Sequence, residues 1–294
     1  NKVKQKRGAK MHSNYKVDRI IKNISLSAMF VVLYVVINRF IAINIAAFGS
    51  PTFIRITIST IVLIIASIVI GPIYGMAVGV VSDIVGALLF PIGAFFPGYT
   101  LTYTMAGLLP GLVFYFSKKF KIKDVFFFLL NLFIEGLLHI GAIVYILIEQ
   151  SIPTSSKTQF NLSWPLIVVA VVLLLISFAT IVWVGYREIK TKKKKSFYSV
   201  SKIWFSYLLI EIVCYFFLNS FWTVILYGTP FSILFVLKIA KSFFTIPIHV
   251  ILVMPLVRVH EKRGVIQEEP MVDSTKLKEI KKKRITKRVD LDKK

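Results

Sequence analysis

Six charged side chains interrupt otherwise apolar stretches of this chain: Arg39, Arg55, Asp83, Glu211, Lys238 and Lys241. A charge in such a setting costs at least a few kcal/mol unless it meets a partner or has a task. Arg39 and Arg55 admit two readings. Each can snorkel its guanidinium to lipid headgroups, or the pair can bind the anionic part of a ligand through charge-assisted hydrogen bonds. Lys238 and Lys241 fall about two to three turns into the last apolar segment, where pairing with Asp83 or Glu211 would neutralise buried charge. Near the arginines in the pattern runs a stiff, ring-bearing stretch containing Phe95, Phe96, Pro97, Tyr99 and Thr100, and later come Asn219, Trp222 and Tyr227. Such rings can stack on a flat heterocycle. Taken singly, Trp222 or Tyr227 fits an interfacial aromatic belt as well.

Other candidates carry less. Glu135 and His139 stand four apart on one helix face and could bind metal or relay protons. No further ligand is near in sequence, so a mutual hydrogen bond inside a bundle is the simpler expectation. Gly71, Gly75 and Gly79, then Gly107 and Gly111, have the spacing that lets helices approach closely. The single cysteine, Cys214, rules out a disulfide framework within the chain. No phosphate-binding loop, nucleophile elbow, zinc-protease or paired-cysteine pattern occurs. The residues therefore point to binding rather than catalysis, with no metal and no cofactor.

The elements that must carry these residues follow from hydropathy. Of 294 residues, 56% are hydrophobic and only 17% charged, too apolar for a water-facing domain. Segments long enough to cross a bilayer as helix fall at 20–46, 53–70, 72–90, 99–116, 125–148, 164–186, 203–226 and 231–257. The expected fold is an all-α integral membrane protein of eight helices. Cations cluster in 117–124 and 187–202 and at both chain ends, whereas 47–52, 91–98 and 227–230 hold no charge, and 149–163 has only Glu149 and Lys157. By the positive-inside rule both termini are cytoplasmic. The net charge of +23 then reads as topology signal and headgroup attraction, with the lipid bilayer and not nucleic acid as the partner. No cleavable signal peptide is apparent. The segment 259–294 reads as a basic, disordered or headgroup-bound tail.

The run from Ile70 to Thr100, IGPIYGMAVGVVSDIVGALLFPIGAFFPGYT, resembles the folate-family S component of energy-coupling factor (ECF) transporters. Asn38-Arg39-Phe40, Ile54-Arg55-Ile56, Leu218 to Trp222, Leu226 to Phe231, Lys241 and Pro247 match as well. The resemblance covers roughly 20–118 and 200–258. It implies a six-helix, substrate-binding subunit that captures a vitamin from outside and works with a transmembrane coupling subunit and two ATPases. Folate would be the transported ligand. Arg39 and Arg55 would suit its glutamate carboxylates, while Phe95, Phe96, Tyr99 and Trp222 would sandwich its rings. Asn219 would read a pterin edge, and the rest of the expected ligand set is Pro97, Thr100, Tyr227 and Lys238. On delivery the bundle would reorient, opening the loops at 47–53, 91–98 and 227–231 toward the cytoplasm.

The chain departs from that pattern in three ways. Residues 119–199 insert a transmembrane hairpin, 125–148 and 164–186, between the fourth and fifth spans. Being even in number, it leaves the other orientations unchanged. Lys238 stands where an arginine is expected, and Ser242 where an asparagine is. Small residues of the first helix, used by such subunits against the coupling protein, are reduced to Ser25, Ser27 and Ala28. The resulting organisation is 1–19, a basic cytoplasmic segment; 20–118, four helices; 119–199, the inserted hairpin; 200–258, two helices; and 259–294, the tail. A sibling vitamin subunit is the near alternative. A proton-coupled secondary transporter using Asp83, Glu211 and Glu135–His139 is a distinct one, and a membrane scaffold is a third.

Overall fold

A computed structural model describes residues 2–47, 50–151, 172, 175, 178–180, 182–183, 185–187, 190, 198–229 and 231–262. In order the elements are α1 (Lys2–Phe40), β1 (Ile43–Ala47), β2 (Ser50–Ile56), α2 (Thr60–Ile70), α3 (Pro72–Leu89), α4 (Pro97–Lys119), α5 (Asp124–Ser151), α6 (Val200–Ile210), a π-helical stretch (Glu211–Leu218), α7 (Asn219–Tyr227) and α8 (Phe231–Lys262). Stretches within Val17–Phe40, Pro72–Leu89, Asp124–Gly141 and Val200–Tyr227 are long and apolar enough to cross a bilayer. Apolar side chains such as Leu88 and Phe133 lie on the outside of the helices, a surface suited to hydrocarbon rather than water. The chain is a multi-pass membrane protein, and among the described residues it is helical apart from one small hairpin. Most of the expected span 164–186, Lys157, the cations at 192–195 and the tail beyond residue 262 lie outside the described residues.

The hairpin corrects two expected spans. The first helix stops at Phe40 and not at residue 46, and the second begins at Thr60 and not at residue 53. Between them β1 and β2 pair antiparallel, with Asn44 opposite Arg55 and Ile43 opposite Ile56. The local sequence explains the change. Alternating β-branched residues favour an extended strand, and Pro51 disfavours helix at the residue before it. Hydropathy alone cannot separate a short apolar strand from the end of a span. As a consequence α2 is 11 residues long. At 1.5 Å per residue that is about 16 Å, roughly half of the ~30 Å hydrocarbon thickness. The base of the hairpin must therefore sit at depth, inside the bundle. Non-helical backbone is tolerated there only where protein buries it or a cavity opens beside it.

Helix α2 is buried almost all round, from Thr60 to Ile68, and packs against α1, α3 and α4. The closest approach is between α3 and α4. A Cβ added to Gly75 would fall 2.4 Å from the Gly107 carbonyl oxygen, and one on Gly107 would fall 2.1 Å from that of Gly75. The two backbones touch, as the small-residue spacing suggested. The Gly111 amide also donates to Ser67 Oγ at 2.8 Å, tying α4 to α2.

From Val200 to Tyr227 the chain is helical throughout, but eight residues within it, Glu211–Leu218, are π-helical. The amide of Asn219 donates to the carbonyl of Cys214, five residues back. Gly228, at φ +61°, closes α7 in the left-handed conformation that glycine adopts without strain.

Helix α5 lies against α6. Asn131 Nδ2 donates to the Ser201 carbonyl at 2.9 Å, Trp204 Nε1 donates to Glu135 Oε1, and Lys202 pairs with Asp124 at 3.0 Å. The Glu135–His139 pair thus differs from expectation. Glu135 gives its carboxylate to the Trp204 indole, and His139 Nδ1 lies 2.6 Å from the backbone oxygen of Glu135. Lys202, expected in an exposed loop, is buried on the first turn of α6.

Candidate ligand-binding site

One cavity of about 130 Å³ opens in the bundle where the hairpin base, the 90–96 loop, the π-helical stretch and α8 meet. Each wall supplies a distinct chemistry. The end of α1 gives Asn38 and Arg39, and the hairpin and its exit give Arg55 and Thr57. Asp83 comes from α3, and Phe95 and Phe96 from the loop before α4. Tyr99 and Tyr103 follow on α4, and the α6–π–α7 rod contributes Tyr207, Tyr215 and Asn219. Tyr227 closes one side, while Lys238, Lys241 and Thr245 come from α8.

Both arginines turn inward. The guanidinium of Arg39 lies over Gly86, where an added Cβ would come within 2.8 Å of its Nη2. The missing side chain is the space that the cation occupies. Arg55 Nη2 donates to the carbonyl of Asn38, at the C-terminal end of α1. That helix end carries partial negative charge, so Arg55 both caps α1 and points its fork at the cavity. Its Nε and the Asn38 side-chain oxygen are buried without a hydrogen-bond partner. Buried polar atoms are normally satisfied, so these two have capacity left for a ligand.

The acidic residues are already engaged. Asp83 Oδ2 accepts from Thr100 Oγ1 at 2.7 Å. Glu211 pairs with Lys241 at 3.4 Å and accepts from Tyr207 at 3.0 Å, Ser242 at 3.1 Å and Thr245 at 3.3 Å. Lys238 does not pair with either carboxylate; its Nζ donates to Asn219 Oδ1 at 2.6 Å. Four basic side chains thus face two carboxylates in and beside the cavity, and the two guanidiniums keep the balance positive in a low-dielectric site. Such a site attracts an anion and disfavours a cation.

The aromatic residues divide into two layers. Phe96 meets Tyr99 edge-on at 6.0 Å between centroids and Trp222 at 5.5 Å. Trp222 is absent from the cavity lining and stands behind Phe96 as its support. Gly98 permits this, since a Cβ there would strike both Phe96 and Trp222. Deeper in, Tyr215 bonds Thr60 at 2.8 Å and its ring carries Lys241 Nζ at 4.8 Å, a cation–π contact.

Of the residues singled out from sequence, Arg39, Arg55, Asp83, Phe95, Phe96, Tyr99, Asn219, Tyr227, Lys238 and Lys241 line this one cavity. Pro97, Thr100, Trp222 and Glu211 do not. Pro97 begins α4, Thr100 holds Asp83, and Glu211 holds Lys241. Sequence reading missed Asn38, Thr57, Thr60, Tyr103, Tyr207, Tyr215 and Thr245. The tyrosines carried a usable signal, because Tyr207 and Tyr215 flank Glu211 at four-residue spacing. The π-helical stretch that holds Tyr215 carried none. Among the described residues no group of three or more His, Cys, Asp or Glu could hold a metal ion.

Fold and site together define a membrane protein with a partly open, cationic, ring-walled cavity. Comparison gives a more particular likeness. The chain is 34% identical over 98 residues to the folate transporter FolT of Clostridium novyi (strain NT), a match covering 33% of this chain and 53% of that protein. The match therefore spans about half the length of the curated relative. A solved structure described as FolT bound with folic acid aligns over 80% of this chain and 92% of its own, with a TM-score of 0.46 and 18% identity. No family model matches.

Proposed function

We propose that this chain is the substrate-binding subunit of an ECF-type vitamin transporter and that its ligand is folate. The observation that carries the reading is the convergence, on one cavity, of Arg39, Arg55 and Lys238 with the rings of Phe95, Phe96 and Tyr99. Folate is a flat heterocycle joined through a second ring to a dicarboxylate. It needs ring faces at one end and two positive charges at the other. In this reading Arg39 and Arg55 take the carboxylates through charge-assisted hydrogen bonds. Phe95, Phe96, Tyr99 and Tyr227 pack on the rings, with Trp222 and Pro97 stiffening that wall. Asn219, oriented by Lys238, offers its amide to the pterin edge. The similarity to a curated folate transporter supports this choice over a sibling vitamin.

ATP would be hydrolysed by partner subunits, a transmembrane coupling protein and two ATPases. The loops around the cavity would open to the cytoplasm as the bundle reorients. Both termini are assigned to the cytoplasm, placing the cavity mouth outside. Titration of the purified chain with folate, read by tryptophan fluorescence, is the direct test. Saturable quenching by folate is expected, with none by riboflavin or thiamin. A response to riboflavin or thiamin in place of folate would reassign the ligand. Uptake in vesicles that lack any ATPase, driven by a pH gradient, would replace the ECF reading with a proton-coupled one.

A further inference from the structure

Around the deeper half of the cavity the hydroxyl groups are engaged, with one exception. Thr57 donates to Ser59 at 3.0 Å, and Thr60 and Tyr215 bond each other at 2.8 Å. Tyr207 and Thr245 both donate to Glu211, at 3.0 and 3.3 Å. Tyr103 lines the same cavity, but its hydroxyl makes no hydrogen bond among the described residues. A hydroxyl inside a membrane bundle that meets no partner is costly. This one has a proton to donate and lone pairs to accept with, and the cavity is the space it fronts.

Packing fixes where that hydroxyl stands. On α4, Tyr103 lies one turn, about 6 Å, inward of Tyr99. Its carbonyl presses on α3 at Gly79, where an added Cβ would strike the Tyr103 oxygen. From α1, Tyr34 meets the Tyr103 ring edge-on, at 5.9 Å between centroids and 71° between planes, and Tyr34 is itself buried. Neither the backbone nor the ring of Tyr103 can shift without disturbing α1 and α3. Arg39, Tyr99 and Tyr215 are close enough to Tyr103 to interact with it electrostatically. Tyr99 belongs to the ring wall and Arg39 to the guanidinium pair. The hydroxyl therefore stands where these two parts of the site meet.

We infer that Tyr103 is a specificity-determining residue for the linker of the ligand, its hydroxyl donating to a carbonyl that joins the flat rings to the anionic end. The inference rests on the folate reading above. In folate that joint is a secondary amide between the second ring and the dicarboxylate. With the rings against Phe95, Phe96 and Tyr99 and the carboxylates on Arg39 and Arg55, the amide is the part left to face Tyr103. Its carbonyl accepts and the phenol donates. Both groups are neutral, so the contact adds no charge to the site. A rigid donor of this kind selects less by the bond it gains than by the analogues that leave it unpaired. A ligand with a methylene or a bare ring at that point would cover the hydroxyl without bonding it.

Two measurements on the full chain in detergent or nanodiscs test this. The first uses Tyr103→Phe, which keeps the ring against Tyr34 and removes only the hydroxyl. Its dissociation constants for folate and for p-aminobenzoylglutamate, which both carry the amide, are expected to rise about five- to tenfold. That for free pterin, which carries no amide, is expected to stay within about twofold, with thermal stability unchanged. An equal loss for all these probes overturns the inference, as does no loss for folate. The second is the infrared carbonyl band of folate labelled with ¹³C at the amide and bound to the wild-type chain. It is expected at the lowered frequency of a hydrogen-bonded carbonyl, and to move up in Tyr103→Phe. A wild-type band at the frequency found in dimethyl sulfoxide overturns the inference, and decides the matter if the variant does not fold. A wild-type chain that binds no folate overturns the folate reading and this inference with it. Normal folate binding by both chains overturns the inference alone.

Discussion

The cavity and the α5–α6 seam both bury charged and polar groups in the membrane-spanning bundle, yet they use them in opposite ways. At the seam, groups meet across the interface directly. Lys202 meets Asp124, Glu135 meets Trp204, and Asn131 Nδ2 meets the Ser201 backbone, its Oδ1 left without a partner. In the cavity the carboxylates are engaged, but the cations outnumber them, and Arg55 Nε and Asn38 Oδ1 are left open. Polar groups that satisfy each other hold helices together. Polar groups arranged with a surplus of one sign, beside empty volume, await something from outside. The same cost of burial is thus met once by a neighbour and, in the proposed function, once by a ligand.

The comparison can be broken at either end. Charge reversal by Arg55→Glu is expected to weaken folate binding about 100-fold or more, since a desolvated partner of the ligand becomes repulsive. A change below threefold would mean that the guanidinium does not meet the ligand. Next in size, Gly86→Ala should displace the Arg39 guanidinium and raise the dissociation constant about tenfold, with thermal stability little altered because the displaced atoms end a flexible side chain. Equal losses of affinity and stability would point instead to a packing role for Gly86. On the seam, Glu135→Ala should leave folate affinity within about twofold while removing about 1–3 kcal/mol of stability, by stranding the Trp204 indole. A large affinity loss there would erase the distinction between the regions. Smallest of all, Trp222→Phe keeps a ring behind Phe96 and is expected to change affinity by no more than about threefold.

Much of the cavity was legible in the sequence because charge within an apolar run is conspicuous wherever it falls. Arg39, Arg55, Asp83, Lys238 and Lys241 needed only that rule. What they bond to was less legible. Lys238 finds the Asn219 amide rather than a carboxylate, a choice made by helix rotation rather than composition. The hairpin was hidden for a related reason, since Ile43, Ile45, Ile54 and Ile56 contribute to hydropathy as strongly in strands as in helices. Glu135 misled by adjacency. Four-residue spacing put it beside His139, but its carboxylate turned to another helix, which no single-chain periodicity reports.

The π-helical stretch has a consequence at the level of the gene. Such a segment is the trace of one surplus residue in a regular helix. Losing a single codon between Glu211 and Leu218 would restore the α register and, because the wider turn has already absorbed that residue, leave all that follows on the same face. Asn219 would still meet Lys238, whereas one codon lost from the regular helix on either side would swing it by about 100° about the axis. Two kindred chains that differ by one codon would thus keep a common binding face only where the loss falls within this stretch.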